Sequence, residues 1–248
     1  MSLTILESLL KELHLSVMSD NYRRLAQEDA AKIQYLQDLA TIELEHRHAK
    51  SIQARMAAAH FPVVKTIATF DFSAQPDLPK LKVLDFLTGT FIKEKRNIVL
   101  LGPPGTGKTH LATAIGSAAC LEGYRTLFTT AADLLMTLMA EKKKGRLKQR
   151  LKLLDRVELL IIDELGYIPF ERESTDLLYQ VISHRYECSS LIITTNLDFP
   201  NWTTVFPDAM AASAVVDRIV HYASVFEMHG TSYRLLSKQK SGKSTRKP

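Results

Sequence analysis

The chain has 248 residues, 46% of them apolar and 24% charged, with ten Gly and nine Pro, a globular composition that excludes collagen-like, disulfide-stapled and wholly disordered chains. Its net charge is +5, but the last twelve residues carry five Lys/Arg and no acid, which leaves 27 basic against 27 acidic residues elsewhere. The sum is therefore weak support for a nucleic-acid partner; the distribution matters more.

Residues 1–65 carry eight acids, eight Lys/Arg, no glycine and one proline, Pro62. Apolar residues recur at Leu3, Leu6, Leu9, Leu10 and Leu13, then at Ile33, Leu36, Leu39 and Leu44, a helical period that predicts a module of two to four helices. His46 and His48 read as solvated side chains on a charged helix, since no clustered ligand accompanies them. Phe61-Pro62 ends the module, and Pro76 and Pro79 interrupt the next stretch of chain.

Beyond this boundary strands and helices alternate. Strands are predicted at 97–101, 125–129, 157–162, 191–195 and 224–227, and helices at 108–122, 133–140, 175–186 and 209–220. Nearly continuous apolar strands imply an α/β fold with a parallel five-stranded sheet covered by helices on both faces. The expected domains are a helical domain at 1–65, a nucleotide-binding domain at 66–236 and a basic, disordered tail at 237–248. Cys120 and Cys188 each fall in an apolar helical pattern, as expected in a reducing compartment. No apolar run approaches the roughly 18–20 residues of a membrane span, and no signal peptide is visible, so a cytoplasmic protein without a membrane partner is expected.

Gly102-Pro103-Pro104-Gly105-Thr106-Gly107-Lys108-Thr109 fits the phosphate-loop pattern, with a predicted strand before it and a helix after it. Glycines let backbone N–H groups turn inward, and the helix offers its positive end to an anion. Lys108 is expected at the β- and γ-phosphates of ATP and the Thr109 hydroxyl on Mg²⁺. Leu159-Leu160-Ile161-Ile162-Asp163-Glu164 is an apolar strand ending in two carboxylates. Asp163 can then face the cation, and Glu164 can orient or deprotonate an attacking water. That pair favours nucleotide hydrolysis over transfer to a small acceptor. A third strand, Leu191–Thr195, ends at Asn196, whose amide is a candidate phosphate sensor; Thr-Asn endings also form turns.

Together these motifs resemble those of AAA+ ATPases, and the match extends to the IstB-like transposition helper ATPases of insertion sequences. Phe70-Asp71-Phe72, Gly102 to His110 with Leu111-Ala112, Asp163-Glu164-Leu165-Gly166-Tyr167, Thr194-Thr195-Asn196-Leu197 with Trp202, Asp217-Arg218 with His221, and Gly230-Thr231-Ser232-Tyr233-Arg234 carry the resemblance. DnaC-like helicase loaders are similar in the same core. The resemblance places His110 with the nucleotide-binding stretch and implies an oligomer with ATP between subunits. It makes Arg218 an arginine finger for the neighbouring subunit; an arginine paired to Asp217 or another carboxylate is the alternative. Arg234 is a second arginine that could touch nucleotide, and the short C-terminus leaves little room for a separate lid domain.

Lys142, Lys143, Lys144, Arg146, Lys148, Arg150 and Lys152 lie within eleven residues that include no acid. At that density the charges repel one another on a solvated helix, and phosphates would relieve them with a salt-sensitive affinity. The resemblance points the same way, to duplex DNA in a central channel; a solvated basic face is the alternative. No aromatic interleaves the cluster, so backbone tracking without sequence reading is expected. The function implied is an ATP-dependent, DNA-binding oligomer that helps a transposase select or engage target DNA. A helicase loader and a non-hydrolysing, nucleotide-switched scaffold are the alternatives.

Overall fold

The computed structural model of the chain describes residues 2–26, 29–167, 170–207 and 209–230. Residues packed together divide it into two compact units, Met1–Ala54 and Arg55–Pro248, with the division inside one long helix.

The first unit is built from α1 (Ser2–Glu12), α2 (Ser16–Ala26) and most of α3 (Ala30–Ala58). Leu6 and Leu10 from α1, Tyr22 from α2 and Ile33 from α3 form its core. Arg23 pairs with Glu7 across α1 and α2, and Arg47 donates to the Leu13 carbonyl at 3.2 Å. Asp29 caps α3 by accepting from the Ala31 and Lys32 amides, which hold its carboxyl below the usual range. The predicted apolar stripe on α3 is incomplete: Leu39 is exposed, and Gln37 is buried near it.

The second unit begins with the end of α3, two short 3₁₀ turns at Ile67–Thr69 and Phe72–Ala74, α4 (Lys80–Phe86) and α5 (Thr90–Lys93). The chain continues through β1 (Asn97–Leu101), α6 (Lys108–Leu121), β2 (Thr126–Thr130), α7 (Ala131–Lys143), α8 (Leu147–Asp155), β3 (Leu159–Leu165), α9 (Arg172–Arg185), β4 (Ser190–Thr195), α10 (Ala209–Val220) and β5 (Ala223–Glu227). The five strands form one parallel sheet in the order β2-β3-β4-β1-β5. Among the described residues no further helical unit follows β5. The expectations for residues 231–248, Arg234 and the basic tail included, lie outside the described residues.

Strand alternation sorts the apolar residues into two cores. Ile98, Leu100, Leu159, Ile161 and Ile192 face the layer formed by α4, α5 and α6, where they meet Phe86, Phe91, Leu111 and Ile115. Val99, Leu101, Leu160, Ile162 and Ile193 face the layer of α7 to α10, against Leu134, Leu138, Leu178, Val215 and Ile219. Burial on both sides is why these strands read as unbroken apolar runs. Helix α6 lies close on the sheet because Gly116 lacks a Cβ: one placed there would stand 2.5 Å from Ile161 Cδ1 and 2.9 Å from the Phe61 ring.

Three local expectations change. Residues 142–152 are not one helix, because α7 ends at Lys143, the chain turns through Gly145 with φ +69°, and α8 starts at Leu147. Helix α8 has no counterpart among the predicted elements. Cys188 is exposed in the turn after α9 rather than on a helix, whereas Cys120 is buried and its thiol is pushed up by that burial.

Candidate functional site

The C-terminal ends of β1, β3 and β4 open on one cleft of about 770 Å³. Gly102 follows β1; its N–H donates to the Thr195 carbonyl at the end of β4, and Met228 N–H, just past β5, donates to the Leu101 carbonyl, so chain from both neighbouring strands pins the start of the loop. With φ +143° and the Met228 carbonyl directly against it, Gly102 has no room for a Cβ. Gly107, with φ +100°, is the N-cap of α6, so the phosphate loop runs straight into a helix N-terminus. Lys108 Nζ donates to the Gly102 carbonyl at 2.5 Å and to the Pro103 carbonyl at 2.8 Å, which folds the ammonium over the loop.

At the end of β3, Asp163 is 5% exposed and accepts from Thr109 Oγ1, at 3.0 Å to Oδ1 and 3.1 Å to Oδ2. Glu164 is exposed to the cleft. Its backbone has φ +59°, a left-handed conformation that is strained for a glutamate, and the β3–β4 register shifts between Ile162 and Leu165. The bulge turns Glu164 out beside Asp163 when regular alternation would turn it to the opposite face. Thr194 holds this arrangement: its hydroxyl donates to Asp163 Oδ1 at 2.5 Å and accepts from the Glu164 N–H at 3.0 Å. Asn196, one residue past the end of β4, lines the same cleft and is exposed.

The cleft's other wall is the segment after α3. Phe70 stacks edge-on against His110 with centroids 5.4 Å apart. His110 Nε2 lies 3.1 Å from Thr69 Oγ1 and 3.3 Å from the Thr66 carbonyl. The carbonyl can only accept, so this geometry assigns the ring proton to Nε2. Buried Gln75 donates to the Thr106 and His229 carbonyls, at 3.2 and 2.8 Å, and so ties the loop to the chain beyond β5.

The structure thus brings together Gly105, Thr106, Gly107, Lys108, Thr109, His110, Asp163, Glu164 and Asn196, with Pro104 also lining the cleft and Gly102 and Pro103 engaged by Lys108. It does not bring Arg218 there. Arg218 lies half-buried on α10, with its guanidinium carbon 4.6 Å from the centre of the Tyr179 ring. The basic cluster also lies on other elements, α7, α8 and the turn between them. Three of its seven charges are paired: Lys142 with Glu173 at 2.8 Å, and Lys144 and Arg146 with Glu141 at 3.3 and 3.0 Å. Both carboxyls are held below their usual range by hydrogen bonds from these cations. Seven mutually repelling charges is therefore a wrong description, because Glu141 precedes the cluster by one residue and Glu173 reaches it from α9. Thr194 and Gln75 carry no role that the sequence alone assigns. Thr194 stands in a recognisable stretch, and nothing near Gln75 signals its contacts.

A phosphate loop closing on a helix N-terminus, with a threonine hydroxyl bonded to the aspartate of a strand two places away in the sheet, makes this a P-loop nucleotide-binding fold. The order β2-β3-β4-β1-β5, with β4 between β1 and β3, is the sheet order found in AAA+ ATPases. A family model described as IstB-like ATP binding protein matches residues 8–241, and the chain belongs to that family. It is 39% identical over 231 residues to the ATP-binding protein of insertion sequence IS5376 from Geobacillus stearothermophilus, covering 92% of each chain. To the IS21 ATP-binding protein of Pseudomonas aeruginosa it is 36% identical over 241 residues, 96% of this chain and 91% of the other. The fold is also that of AMPPCP-bound DnaA from Aquifex aeolicus, with a TM-score of 0.58 at 21% identity over 76% of this chain and 58% of that one. No described helix is long and apolar enough to cross a membrane.

Proposed function

We propose that this protein is an ATP-hydrolysing, duplex-DNA-binding oligomer of the cytoplasm that helps an insertion-sequence transposase select and engage target DNA. The observation that carries the hydrolysis reading is the linked set Thr109–Asp163–Thr194–Glu164, in which one buried carboxylate is fixed by two hydroxyls and a second is turned into the cleft by a bulge.

The donor set suits a divalent cation. Thr109 Oγ1 and the Asp163 carboxylate are hard oxygen donors side by side, and two protein ligands leave the remaining positions to phosphate oxygens and water, the pattern of Mg²⁺ sites. Mg²⁺ bound there supplies positive charge to the β- and γ-phosphate oxygens. Lys108 exchanges its loop carbonyls for those oxygens, which are stronger, charged acceptors. Asn196 donates an amide hydrogen to the γ-phosphate or orients the water. Glu164 takes a proton from that water as its oxygen attacks the γ-phosphorus in line. The bond from phosphorus to the bridging oxygen breaks, leaving ADP and inorganic phosphate.

Arg218 is absent from its own chain's cleft, which supports delivery to the site of a neighbouring subunit, where its charge stabilises the transferring phosphoryl group. The end of α7 offers Lys143 and α8 offers Lys148, Arg150 and Lys152 without ion-pair partners among the described residues, a set suited to tracking a phosphate backbone. The transposase partner is supported by the insertion-sequence origin of the relatives, and the N-terminal helical unit contacts it or joins subunits.

Steady-state turnover of ATP with and without duplex DNA tests this reading: stimulated hydrolysis is expected, and background turnover in both leaves only a nucleotide-switched scaffold. Arg218→Ala and Lys108→Ala subunits, each inactive alone, should regain activity when mixed under conditions of subunit exchange. No recovery contradicts a site shared between subunits.

A further inference from the structure

Arg218 carries no carboxylate partner among the described residues, although Asp217 is its chain neighbour. What holds it is the aromatic ring of Tyr179. The guanidinium carbon stands 4.6 Å from the ring centre, and Nη1 donates to the Ala214 carbonyl, one turn back on α10, at 3.2 Å. Tyr179 is itself half-buried on α9 and packs against the core shared by α7 to α10. The ring is therefore a fixed platform rather than a mobile surface group.

The way the arginine is held decides what it can still do. A carboxylate partner would engage the guanidinium through its N–H edge, the same edge that phosphoryl oxygens require. The ring holds the cation without a carboxylate, and among the described residues the Ala214 carbonyl is the hydrogen-bond acceptor that engages it, through Nη1. A side chain with four flexible torsions is thus restrained near one geometry while its positive charge stays uncompensated. Those are the requirements for a cation that must meet developing charge on a transferring phosphoryl group without reorganising.

Resting on the reading of Arg218 as a finger for the neighbouring subunit, we infer that Tyr179 is its positioning residue: a face-on aromatic clamp that aims the guanidinium across the subunit boundary. Tyr179 does not line its own chain's cleft, and its proposed action is through Arg218. The ring, and not the phenolic hydroxyl, does the holding, because the contact is to the π face.

The test compares DNA-stimulated ATP turnover in wild type, Tyr179→Leu, Tyr179→Phe, Arg218→Ala and the Tyr179→Leu/Arg218→Ala double variant. Tyr179→Leu should lower kcat by roughly fivefold to thirtyfold, as expected for a stacked cation, with KM for ATP unchanged. Tyr179→Phe should restore wild-type kcat, and the double variant should be no slower than Arg218→Ala. Wild-type kcat in Tyr179→Leu, a loss confined to KM, or a further loss in the double variant overturns the positioning role. Wild-type turnover in Arg218→Ala instead overturns the shared-site reading beneath it, so the two failures are distinct. If the leucine variant does not fold, 3,4,5-trifluorophenylalanine at position 179 keeps the shape and weakens the negative face of the ring. A kcat below that of Tyr179→Phe is then the expected result, and an equal kcat overturns the inference.

Discussion

Glutamine at both Glu141 and Glu173 should steepen the salt dependence of DNA binding, and the structure sets the size of the change. Of the seven cations between Lys142 and Lys152, three are held in ion pairs with these two glutamates and four are not. A cation that stays with its glutamate displaces no counterion from DNA. The wild-type slope of log K against log salt should therefore be about −0.9 times four, or roughly −3.6, and that of the double glutamine variant about −0.9 times seven, or roughly −6.3. Between 50 and 200 mM salt, affinity should fall by about 150-fold in wild type and by about 6,000-fold in the variant. The ion pairs are exposed and individually weak, so their removal should not disturb the fold. Fluorescence anisotropy of a labelled duplex, titrated with protein and ATP across that salt range, measures both slopes. Equal slopes would refute the account of the α7–α8 turn as a partly self-neutralised backbone site.

Two other substitutions probe the site and its scaffold. Thr194→Val preserves shape but removes the hydroxyl that binds Asp163 and the Glu164 amide; kcat for ATP should drop by about 10- to 100-fold with nucleotide binding retained, and unchanged turnover would contradict its role in setting the pair. Arg185 is 1% exposed and donates to the carbonyls of Leu154, Val157, Glu158 and Ser190, tying the end of α8 to the starts of β3 and β4. Arg185→Met should lower the unfolding free energy by about 3 kcal/mol in urea titrations, because buried carbonyls lose charged donors; a loss below about 0.5 kcal/mol would refute that account. Burial brings the guanidinium down only to about 10, so it remains charged at neutral pH, and the cost of this substitution should not vary between pH 6 and 8.

How much of this is legible in the sequence depends on whether the signal is local. β1 and α10 have the boundaries that their apolar runs and flanking residues predict, and the phosphate loop is specified by glycines whose positive-φ backbone conformations other residues rarely adopt. Asp163 and Glu164 are legible as a pair, but not the bulge that turns Glu164 into the cleft, because it arises from the register of β3 against β4. Thr194 is a good β-former in a buried strand, and only its cross-strand neighbours distinguish it from packing. Helix α8 is obscured by its Lys and Arg content, since only Leu151 and Leu154 of it are buried. The pairing of Lys142 requires Glu173, about thirty residues away in sequence and on a different helix. Arg185 looks like the solvated basic end of a helix, yet its neighbours in space are backbone carbonyls.

The proposed mechanism has this cleft hydrolyse ATP with Glu164 activating the water. It is tested most directly by measuring nucleotide affinity and DNA-stimulated turnover side by side for wild type and Glu164→Gln. In Glu164→Gln, ATP binding should stay within about twofold of wild type and turnover should fall by at least ~10²-fold, the contribution of a general base. Wild-type turnover in the glutamine variant would contradict it.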